Sequence, residues 1–366
     1  MRVRYTYLDR QYQTIRDEIL ETVDDIFSRS AFILRPEVQE FETRMASMLD
    51  VEGVVGVNSG TDALYLGMRA LGLPPGGEVI TVAHTFVASV SAIVHAGLKP
   101  VLVDVLPSDF NIDPAAIAAA ITPATCAIMV VHMNGRVCDM AAVKEIAEDH
   151  GLLVLEDAAQ AIGARLNGVA AGAFGQFAGF SLHPMKILGG GGDGGFIATK
   201  DQELAETLRA MRNLGQRQRG VHESHAFNSR LDTLQAAICL VKLRHLGGWT
   251  DRRRWLAQRY DDALANLKGL IRPLAPSSGP HYDVYSSYAI RSQARDDLRA
   301  RLAEKGVETM IAWERPLHRQ TGLNLEHHVL PATDRVSREV LSLPIDSEMT
   351  DEEQDYVLDV LREFHG

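Results

Sequence analysis

The sequence has few cysteines and no long apolar segment. Cys126, Cys138 and Cys239 stand far apart, so they match neither a disulfide framework nor the clustered spacing of a zinc site. No apolar run approaches the roughly 18 residues of a membrane-spanning helix, and residues 1–7 lack the apolar core of a signal peptide. We therefore expect a protein of the reducing cytoplasm that has no part in a membrane.

Positive charge is also scarce. The 37 Lys and Arg residues stand against 48 Asp and Glu, which gives a net charge of −11 with neutral histidines. This balance argues against nucleic acid or an anionic membrane as the main partner. Internal repeats are absent as well, whereas 46% of the 366 residues are apolar. That composition suffices for a large core, and the length suits two or three domains.

From residue 37 to residue 213, short apolar runs alternate with segments of helical periodicity. Such alternation predicts an α/β fold with a largely parallel sheet covered by helices on both faces. The expected strands are 54–57, 78–82, 100–105, 126–131, 152–155, 177–181 and 195–199. The expected helices are 38–49, 61–70, 85–95, 114–121, 140–150 and 202–213.

The alternation of apolar runs and helical segments ends after Gly247 and Gly248. We expect residues 1–248 to form a large domain and residues 249–366 a smaller α+β domain packed on it. A ligand site is then expected outside the carboxyl ends of the parallel strands. In the second part we expect a helix at 251–267, a Pro/Ser/Gly-rich link at 273–280, a strand at 284–291, and helices at 294–306 and 351–364.

One loop at that edge carries a lysine. Lys186 stands between an apolar strand and six glycines that are interrupted only by Asp193. Pro184 fixes φ just before it, and glycines allow unusual backbone conformations and a close approach to a ligand. A lysine that is desolvated in such a loop can act as a Schiff-base nucleophile. The alternative is a solvated lysine in a flexible loop.

Two further motifs follow strands. The segment 58–64 (Asn-Ser-Gly-Thr-Asp-Ala-Leu) opens a helix, and such a helix start either binds a phosphate or is merely capped. Phe86 follows the next strand, where it could stack on a planar ring or pack in the core.

Two more motifs are polar. Glu156 and Asp157 end a strand and should point to opposite faces. One carboxylate could hold a protonated ring nitrogen, while capping is the alternative for Asp157, and no second cluster with suitable spacing supports a metal. Asn228 and Arg230 precede a helix expected to begin near Leu231, which could be an ordinary capped helix.

Taken together, these motifs supply an anion site, a ring-stacking aromatic, a carboxylate for a ring cation and a lysine for a carbonyl. Pyridoxal 5′-phosphate (PLP) has a counterpart for each of them, and the lysine with an acidic partner for the pyridine nitrogen marks such sites. The sequence therefore predicts PLP as the cofactor, with no metal.

In this order the motifs resemble the DegT/DnrJ/EryC1/StrS family of PLP-dependent sugar aminotransferases. That family has the fold-type I architecture of aspartate aminotransferase, with a mainly parallel seven-stranded sheet between helices. The resemblance covers nearly the whole chain, and its motifs are 8–12, 32–38, 60–64, 84–86, 156–160, 181–195, 228–232 and 316–318.

The resemblance implies a role for each matching residue. Lys186 would form the internal aldimine, Asp157 would pair with the pyridine nitrogen, and Gln160 would lie near the ring hydroxyl. Phe86 would stack on the ring. The cofactor phosphate would be held by Gly60, Thr61 and Ser181, and by Asn228 from the neighbouring subunit of a homodimer with shared active sites.

The implied reaction moves an amino group from glutamate or glutamine to a keto sugar, usually nucleotide-linked, in amino-sugar biosynthesis. The nitrogen would rest on the cofactor as pyridoxamine phosphate (PMP) between two half-reactions, which gives ping-pong kinetics. A non-nucleotide keto sugar or a keto-cyclitol is an alternative acceptor. A sugar dehydratase of the same fold is a further alternative, but such relatives carry His where Lys186 stands. A non-enzymatic regulator built on this fold is a third alternative.

Several positions depart from the usual family pattern. Arg35, Asn134 and Trp313 replace Gly, Tyr and a Tyr-Pro stretch, in segments that should border the acceptor pocket. Arg35 could bind an acceptor phosphate or be a solvated side chain at a helix start. The candidate substrate-binding residues are Arg35, His183, Trp313 and His318, although each histidine alone could be a structural hydrogen-bonding residue.

Overall fold

A computed structural model describes residues 1–274 and 279–365, so part of the expected link at 273–280 lies outside the described residues. The strands are β1 (Gly53–Val57), β2 (Glu78–Val82), β3 (Lys99–Val103), β4 (Thr125–Val131), β5 (Leu153–Asp157), β6 (Arg165–Leu166), β7 (Val169–Ala170), β8 (Phe177–Ser181), β9 (Gly195–Thr199), β10 (Gln216–Gln218), β11 (Val221–His222), β12 (Leu270–Ile271), β13 (His281–Tyr282), β14 (Tyr288–Ser292) and β15 (Val340–Leu343).

The helices surround these strands. They are α1 (Leu8–Ser28), α2 (Pro36–Leu49), α3 (Gly60–Ala70), α4 (Val87–His95), α5 (Pro114–Ala120), α6 (Met140–His150), α7 (Gln202–Met211), α8 (Thr233–Leu243), α9 (Leu246–Leu264), α10 (Arg295–Glu304), α11 (Pro331–Glu339) and α12 (Asp351–His365). No helix among the described residues is both long enough and apolar enough to cross a bilayer.

Seven strands form the central sheet in the order β1-β9-β8-β5-β4-β2-β3. The neighbours from β8 to β3 are parallel, whereas β9 is antiparallel to both β8 and β1. The mainly parallel seven-stranded sheet is therefore confirmed. The reversal at β9 has a simple cause: the connection from β8 contains no crossover helix, and parallel neighbours need one.

Apolar side chains cover both faces of this sheet. Along β1, Val54 lies in one buried cluster, and Val55 and Val57 lie in another. Ile128 and Met129 divide in the same way along β4. Because successive side chains of a strand point to opposite faces, continuous apolar runs such as these belong to a sheet with helices on both sides.

A second core forms in the C-terminal part around the sheet β12-β14-β15. It also contains Val3 and Tyr7, and the Val3 amide donates to the Gly306 carbonyl at 2.9 Å. The expected helix at 251–267 is observed as α9, which begins at Leu246, so both adjacent glycines lie in its first turn. The division of domains at residue 248 stays a prediction.

Some elements were missed or shifted. Helix α1 was not predicted, although its apolar residues, which include the buried Ile15 and Ile26, recur at helical spacing. Helix α8 begins at Thr233 rather than near Leu231, since Asp232 is an extended N-cap. Helix α11 and strand β15 were not predicted either. Cys126, Cys138 and Cys239 are free, and the cytoplasmic location stays a prediction.

Candidate active site

The start of α3 and the end of β8 form a cradle at one edge of the sheet. Ser59 caps α3 by accepting a hydrogen bond from the Asp62 amide at 3.1 Å. A Cβ on Gly60 would lie 2.8 Å from Cβ of Ser181, and one on Gly195 would lie 2.4 Å from the carbonyl carbon of Ser59. The amides of Gly60 and Thr61 lie in the first helical turn, where no earlier carbonyl is available to accept. This geometry suits an anion.

Lys186 lies in the loop that follows β8. Its amide donates to the His183 carbonyl at 2.8 Å, so the lysine sits in a tight turn. The side chain is half-buried. Burial lowers the pKa of Lys186, while the charge of Asp157 opposes this shift. The two side chains therefore act on each other, and a larger fraction of Lys186 is the neutral amine than for a solvated lysine.

The glycines of this loop serve close approach rather than unusual φ angles. None of the glycines from 189 to 195 has a positive φ. A Cβ on Gly189 would lie 2.4 Å from the Pro184 carbonyl oxygen, so this glycine lets the two arms of the loop touch. The expected close approach to a ligand stays a prediction, whereas unusual positive φ angles are not found at these glycines.

Asp157 is a buried carboxylate at the end of β5. Ser89 Oγ donates to its Oδ2 at 2.7 Å and the Ala159 amide to its Oδ1 at 3.1 Å. It forms no ion pair within 4.0 Å with any side chain of residues 1–274 or 279–365. Since a buried charge is costly unless paired, the position suits a cationic group of a ligand, and a protonated pyridine nitrogen fits it.

Glu156 points to the opposite face, as strand alternation predicted. It accepts hydrogen bonds from His132 Nε2 at 2.8 Å and from the amides of Gly172, Phe174 and Gly175 at 2.7–2.8 Å. Burial alone would raise the pKa of Glu156, but these hydrogen bonds outweigh it and hold the pKa below its usual value. Glu156, together with His132, therefore stabilises the loop that contains Gly172, Phe174 and Gly175.

Gln160 links the sheet edge to the C-terminal part. Its Oε1 accepts from the Asn134 amide at 3.0 Å and from Ser286 Oγ at 3.5 Å. Asn134 has a φ of 57°, a left-handed conformation that asparagine tolerates better than a bulky side chain does. The left-handed backbone conformation therefore explains why an asparagine suits position 134.

Two aromatic side chains form a wall next to the start of α4, the helix that carries Ser89. Phe86 is 56% exposed, and its ring centre lies 5.8 Å from that of Trp313. Trp313 has a φ of 60°, and its buried indole Nε1 has no partner among the described residues. The Leu317 amide donates to the Ala83 carbonyl at 3.0 Å, which holds the Trp313 segment against the loop of Phe86.

His318 is fully buried beside this wall. Its Nε2 lies 3.0 Å from Oδ1 of Asp334, and burial lowers its pKa although Asp334 acts the other way. Its Nδ1 is buried without a partner among the described residues. His318 is thus held in place on one side only.

The remaining candidates are exposed. Arg35 is the N-cap of α2, and its amide donates to Thr233 Oγ1 at 3.3 Å. His183 is exposed at the start of the lysine loop, and Asn228 is exposed in a bridge with Asn213. Among the described residues, no hydrogen bond or ion pair joins Arg35 or Asn228 to Lys186 or Asp157.

Two residues of the site were missed from the sequence. Ser89, which holds Asp157, follows Thr85 by one helical turn, and their hydroxyls lie 2.9 Å apart. That i, i+4 spacing on a helix after the Phe86 motif was the available signal. Gln235 on α8 contacts the glycines after Lys186, and no local pattern indicated it. Residues 1–274 and 279–365 contain no group of three His, Cys, Asp or Glu that could hold a metal.

The lysine, the buried carboxylate and the anion cradle at the edge of a mainly parallel sheet define a PLP-dependent transferase of fold-type I. The model of the DegT/DnrJ/EryC1/StrS aminotransferase family matches residues 13–362. The chain belongs to this family and is a PLP-dependent aminotransferase.

Similar proteins cover the whole chain. A protein of Geobacillus stearothermophilus described as a pleiotropic regulatory protein is 41% identical over 368 residues, which cover 100% of this chain and 99% of that one. A dTDP-3-amino-3,4,6-trideoxy-alpha-D-glucose transaminase of Streptomyces venezuelae is 40% identical over 367 residues, which cover 99% of this chain and 96% of the relative.

Solved structures agree with this assignment. The crystal structure of Streptomyces venezuelae DesV in complex with a ketimine intermediate has a TM-score of 0.96 and 39% sequence identity, and the match covers 100% of this chain and 98% of that one. Structures of two further relatives are described as PMP-bound.

Proposed function

We propose that this protein transfers an amino group from glutamate or glutamine to a keto sugar carried on a nucleotide, in amino-sugar biosynthesis. The observation that carries the proposal is the half-buried Lys186 within reach of the charge of buried Asp157, in a chain whose full-length relatives include a dTDP-sugar transaminase. A UDP-sugar 3-aminotransferase of Acidithiobacillus ferrooxidans, 38% identical over 98% of the chain, also supports a nucleotide-linked acceptor.

Bound PLP supplies an electron sink for the carbanion that develops at the α-carbon of the amino acid. Lys186 holds the cofactor covalently and, when released, its Nζ takes the proton from the α-carbon as a general base. The lowered pKa of Lys186, caused by burial, favours this role because it raises the fraction of the amine that is neutral and can accept a proton.

Asp157 acts through its charge. Held by Ser89 and the Ala159 amide, the carboxylate would pair with the pyridine nitrogen of bound PLP and keep it protonated, since a nearby negative charge favours a cation. The same two hydrogen bonds fix the direction of the carboxylate before the cofactor arrives.

The other cofactor residues surround the ring and phosphate. Gly60, Thr61 and Ser181 bind the phosphate at the cradle on the start of α3. Phe86 offers an exposed ring face for stacking. Gln160, whose Oε1 accepts from the Asn134 amide, would donate from its side-chain nitrogen to the ring hydroxyl.

The acceptor pocket lies on the side of the aromatic wall. Trp313 and His318 border it from the C-terminal part, each with a buried donor or acceptor atom that lacks a partner among the described residues. Arg35 and His183 are exposed and can reach a charged substrate from solvent. An arginine binds phosphate in a bidentate manner, which suits the diphosphate of a nucleotide sugar.

Asn228 completes the phosphate site of a partner subunit. Its exposed side chain has no described contact with Lys186 of its own chain. Exposed apolar side chains lie nearby: Ile33, 42% exposed, pairs with Asp232, and Phe27 and Phe32 form an exposed aromatic pair 5.2 Å apart. Such a patch suits a homodimer interface, across which each subunit lends its Asn228.

The test separates the two half-reactions. The purified enzyme with PLP is mixed with glutamate or glutamine alone, and we expect the visible absorption of PLP to change to that of PMP. The PMP enzyme is then offered keto sugars with and without a nucleotide, together with a keto-cyclitol. Recovery of the PLP spectrum with nucleotide-linked keto sugars supports the proposal. Recovery only with free keto sugars or cyclitols would replace the acceptor, and no response to either donor would refute the reaction.

A further inference from the structure

The glycine arm of the Lys186 loop is held from outside by one side chain. Within residues 182–194, the loop closes on itself through Leu182 and Gly194, whose amide and carbonyl are 2.8 Å apart, and through the Gly190 amide and the Leu182 carbonyl at 2.7 Å. Within the described part of the chain, the only side chain outside residues 181–195 that forms a hydrogen bond with this backbone is Gln235. Its Oε1 accepts from the Gly191 amide at 2.7 Å.

Three consecutive glycines are adapted to this contact. A Cβ on Gly190 would lie 2.7 Å from Gln235 Oε1, and one on Gly192 would lie 3.3 Å from its Nε2. A Cβ on Gly191 would lie 3.0 Å from Ile238 Cδ1. A side chain at these positions would require the ends of Gln235 or Ile238 to shift, so the glycine run leaves room for the Gln235 contact.

The two arms of the loop differ in how they are anchored. Ile187 and Leu188, directly after Lys186, are buried in the main core, whereas Gly191 is exposed. A glycine-rich backbone has many accessible conformations and loses more entropy on ordering than other residues do. At Gly191, the Gln235 hydrogen bond restricts the exposed backbone, whereas Gly190 is also held by the bond from its amide to the Leu182 carbonyl.

Gln235 also connects the lysine loop to the start of α8, which contacts the segment before α2 as well. It lies in the first turn of α8, and at the same turn Thr233 Oγ1 accepts from the Arg35 amide and the Thr233 amide donates to the Phe32 carbonyl. The helix start thus holds the segment before α2 and the lysine loop together.

We propose that Gln235 is a positioning residue for Lys186: by fixing Gly191, its Oε1 sets where the lysine loop stands against Asp157. The inference rests on the proposed role of Lys186. A displacement of about 1 Å in a reacting group can cost as much as 10²-fold in rate, so a loop that is free to shift lowers turnover without any loss of a contacting residue.

The test compares Gln235→Leu, which removes the acceptor, with Gln235→Glu, which keeps an oxygen there, and uses Gln202→Leu on an exposed helix position as a control. In the cofactor-free protein, we expect Gln235→Leu to raise hydrogen exchange of the peptide around Gly191 about tenfold, because one hydrogen bond of about 1.5 kcal/mol is lost. In the PLP enzyme, we expect a shifted pH titration of the visible band and a kcat roughly tenfold lower, with KM for the donor nearly unchanged.

In Gln235→Glu, the exchange rate around Gly191, the pH titration of the visible band and kcat should each lie within about twofold of the unaltered protein. In Gln202→Leu, all three should be unchanged. If Gln235→Leu fails to fold, Gln235→Met removes the same acceptor with an unbranched chain. Unchanged exchange at Gly191, or a lower melting temperature with normal kcat and band titration, would overturn the proposal. Borohydride labelling of another lysine in the unaltered enzyme would instead refute the role of Lys186, and the cofactor-free exchange result is read independently of it.

Discussion

Among the lysines, Lys186 is set apart by its surroundings rather than by burial alone. Burial lowers the pKa of Lys242 as well, but the group that acts on Lys242 is the thiol of Cys239, whereas Lys186 faces the charge of Asp157. A desolvated lysine becomes a nucleophile at a PLP site only where the ring can be bound in front of it.

We expect Lys186→Ala to abolish transamination and Lys242→Ala to leave it within about twofold, because in the proposed mechanism only Lys186 bonds the cofactor. Borohydride reduction of the unaltered enzyme followed by peptide mapping should place the cofactor on Lys186. A label on any other lysine would show the assignment to be wrong.

We expect Asp157 to promote transamination through its negative charge and not through the shape of its side chain. Asp157→Asn keeps an oxygen for Ser89 or the Ala159 amide, so the fold and some cofactor binding should persist. The neutral amide cannot favour the protonated ring, and we expect transamination to slow by roughly 10²–10⁴-fold. Stopped-flow absorbance of the donor half-reaction measures this. Activity equal to that of the unaltered enzyme, at matched cofactor content, would mean that another group protonates the ring.

His84 is a buried histidine whose protonation opposes folding. It stacks on Phe110 with ring centres 5.8 Å apart, and burial lowers its pKa from 6.5 to about 3. Between these two pH values the unfolded chain binds a proton that the native protein does not, so stability falls as the pH falls below 6.5 and is unaffected by this group above it.

We therefore expect the free energy of unfolding to drop by about 2 kcal/mol more between pH 7 and pH 5 in the unaltered protein than in His84→Gln. His225→Gln, at an exposed position, is the control and should keep the full slope. Urea unfolding of the cofactor-free protein at the two pH values measures the difference. Equal slopes for the unaltered protein and His84→Gln would contradict the buried neutral state.

At the scale of elements, one buried ion pair joins three of them. Glu42 on α2 accepts from the Gly56 amide of β1 at 2.9 Å and pairs with Arg212 at the end of α7. Arg212 also donates to the Gly56 carbonyl at 2.7 Å. Both side chains are only 8% exposed, and β1 leads directly into the phosphate cradle, so this pair stabilises the base of the site.

Removal of the arginine leaves the Glu42 charge buried without its partner. We expect Arg212→Met to lower the free energy of unfolding by about 3–5 kcal/mol. Arg209→Met, one turn earlier in α7, breaks a solvent-exposed pair with Glu206 and should cost about 0–1 kcal/mol. Urea unfolding of both variants is the measurement, and similar losses in the two would argue against a special role for the buried pair.

At the scale of the whole molecule, the proposed homodimer leads to an expectation for Asn228. A hydrogen bond to a charged group contributes roughly 1.5–3 kcal/mol, so Asn228→Ala should weaken cofactor retention measurably while Lys186 still bonds the cofactor. In a two-fold dimer each subunit would lend Asn228 to the other. Cofactor titration of the homodimer measures the first effect.

Heterodimers of Lys186→Ala and Asn228→Ala chains test the sharing itself. If Asn228 acts on the partner's cofactor, both changes fall in one site and the other site is intact, so the heterodimer should bind cofactor with the affinity of the unaltered enzyme. If its one lysine-bearing site binds as weakly as the Asn228→Ala homodimer, Asn228 acts within its own chain and the shared site is excluded.

The fold class, the lysine loop and the buried carboxylate at the end of a strand could be predicted from local sequence. Strand and helix periods, and the residues that end strands or open helices, are set by backbone geometry and by neighbours a few positions away. These features can therefore be recognised in the linear sequence. Examples are Lys186 among its glycines, Gly60 at a helix start and Asp157 at a strand end. The opposite faces of Glu156 and Asp157 follow from the same period of two.

Contacts between distant segments were decided only by the tertiary structure. Ser89 meets Asp157 across 68 positions and Gln235 meets Gly191 across 44, and no local period encodes such pairs. The antiparallel course of β9 depends on how the lysine loop closes, and the place of Val3 in the C-terminal core depends on a partner some 300 residues away. Side chains brought together by packing acquire their partners, burial and shifted pKa values only when the chain folds, because desolvation and hydrogen bonding are properties of the assembled surroundings.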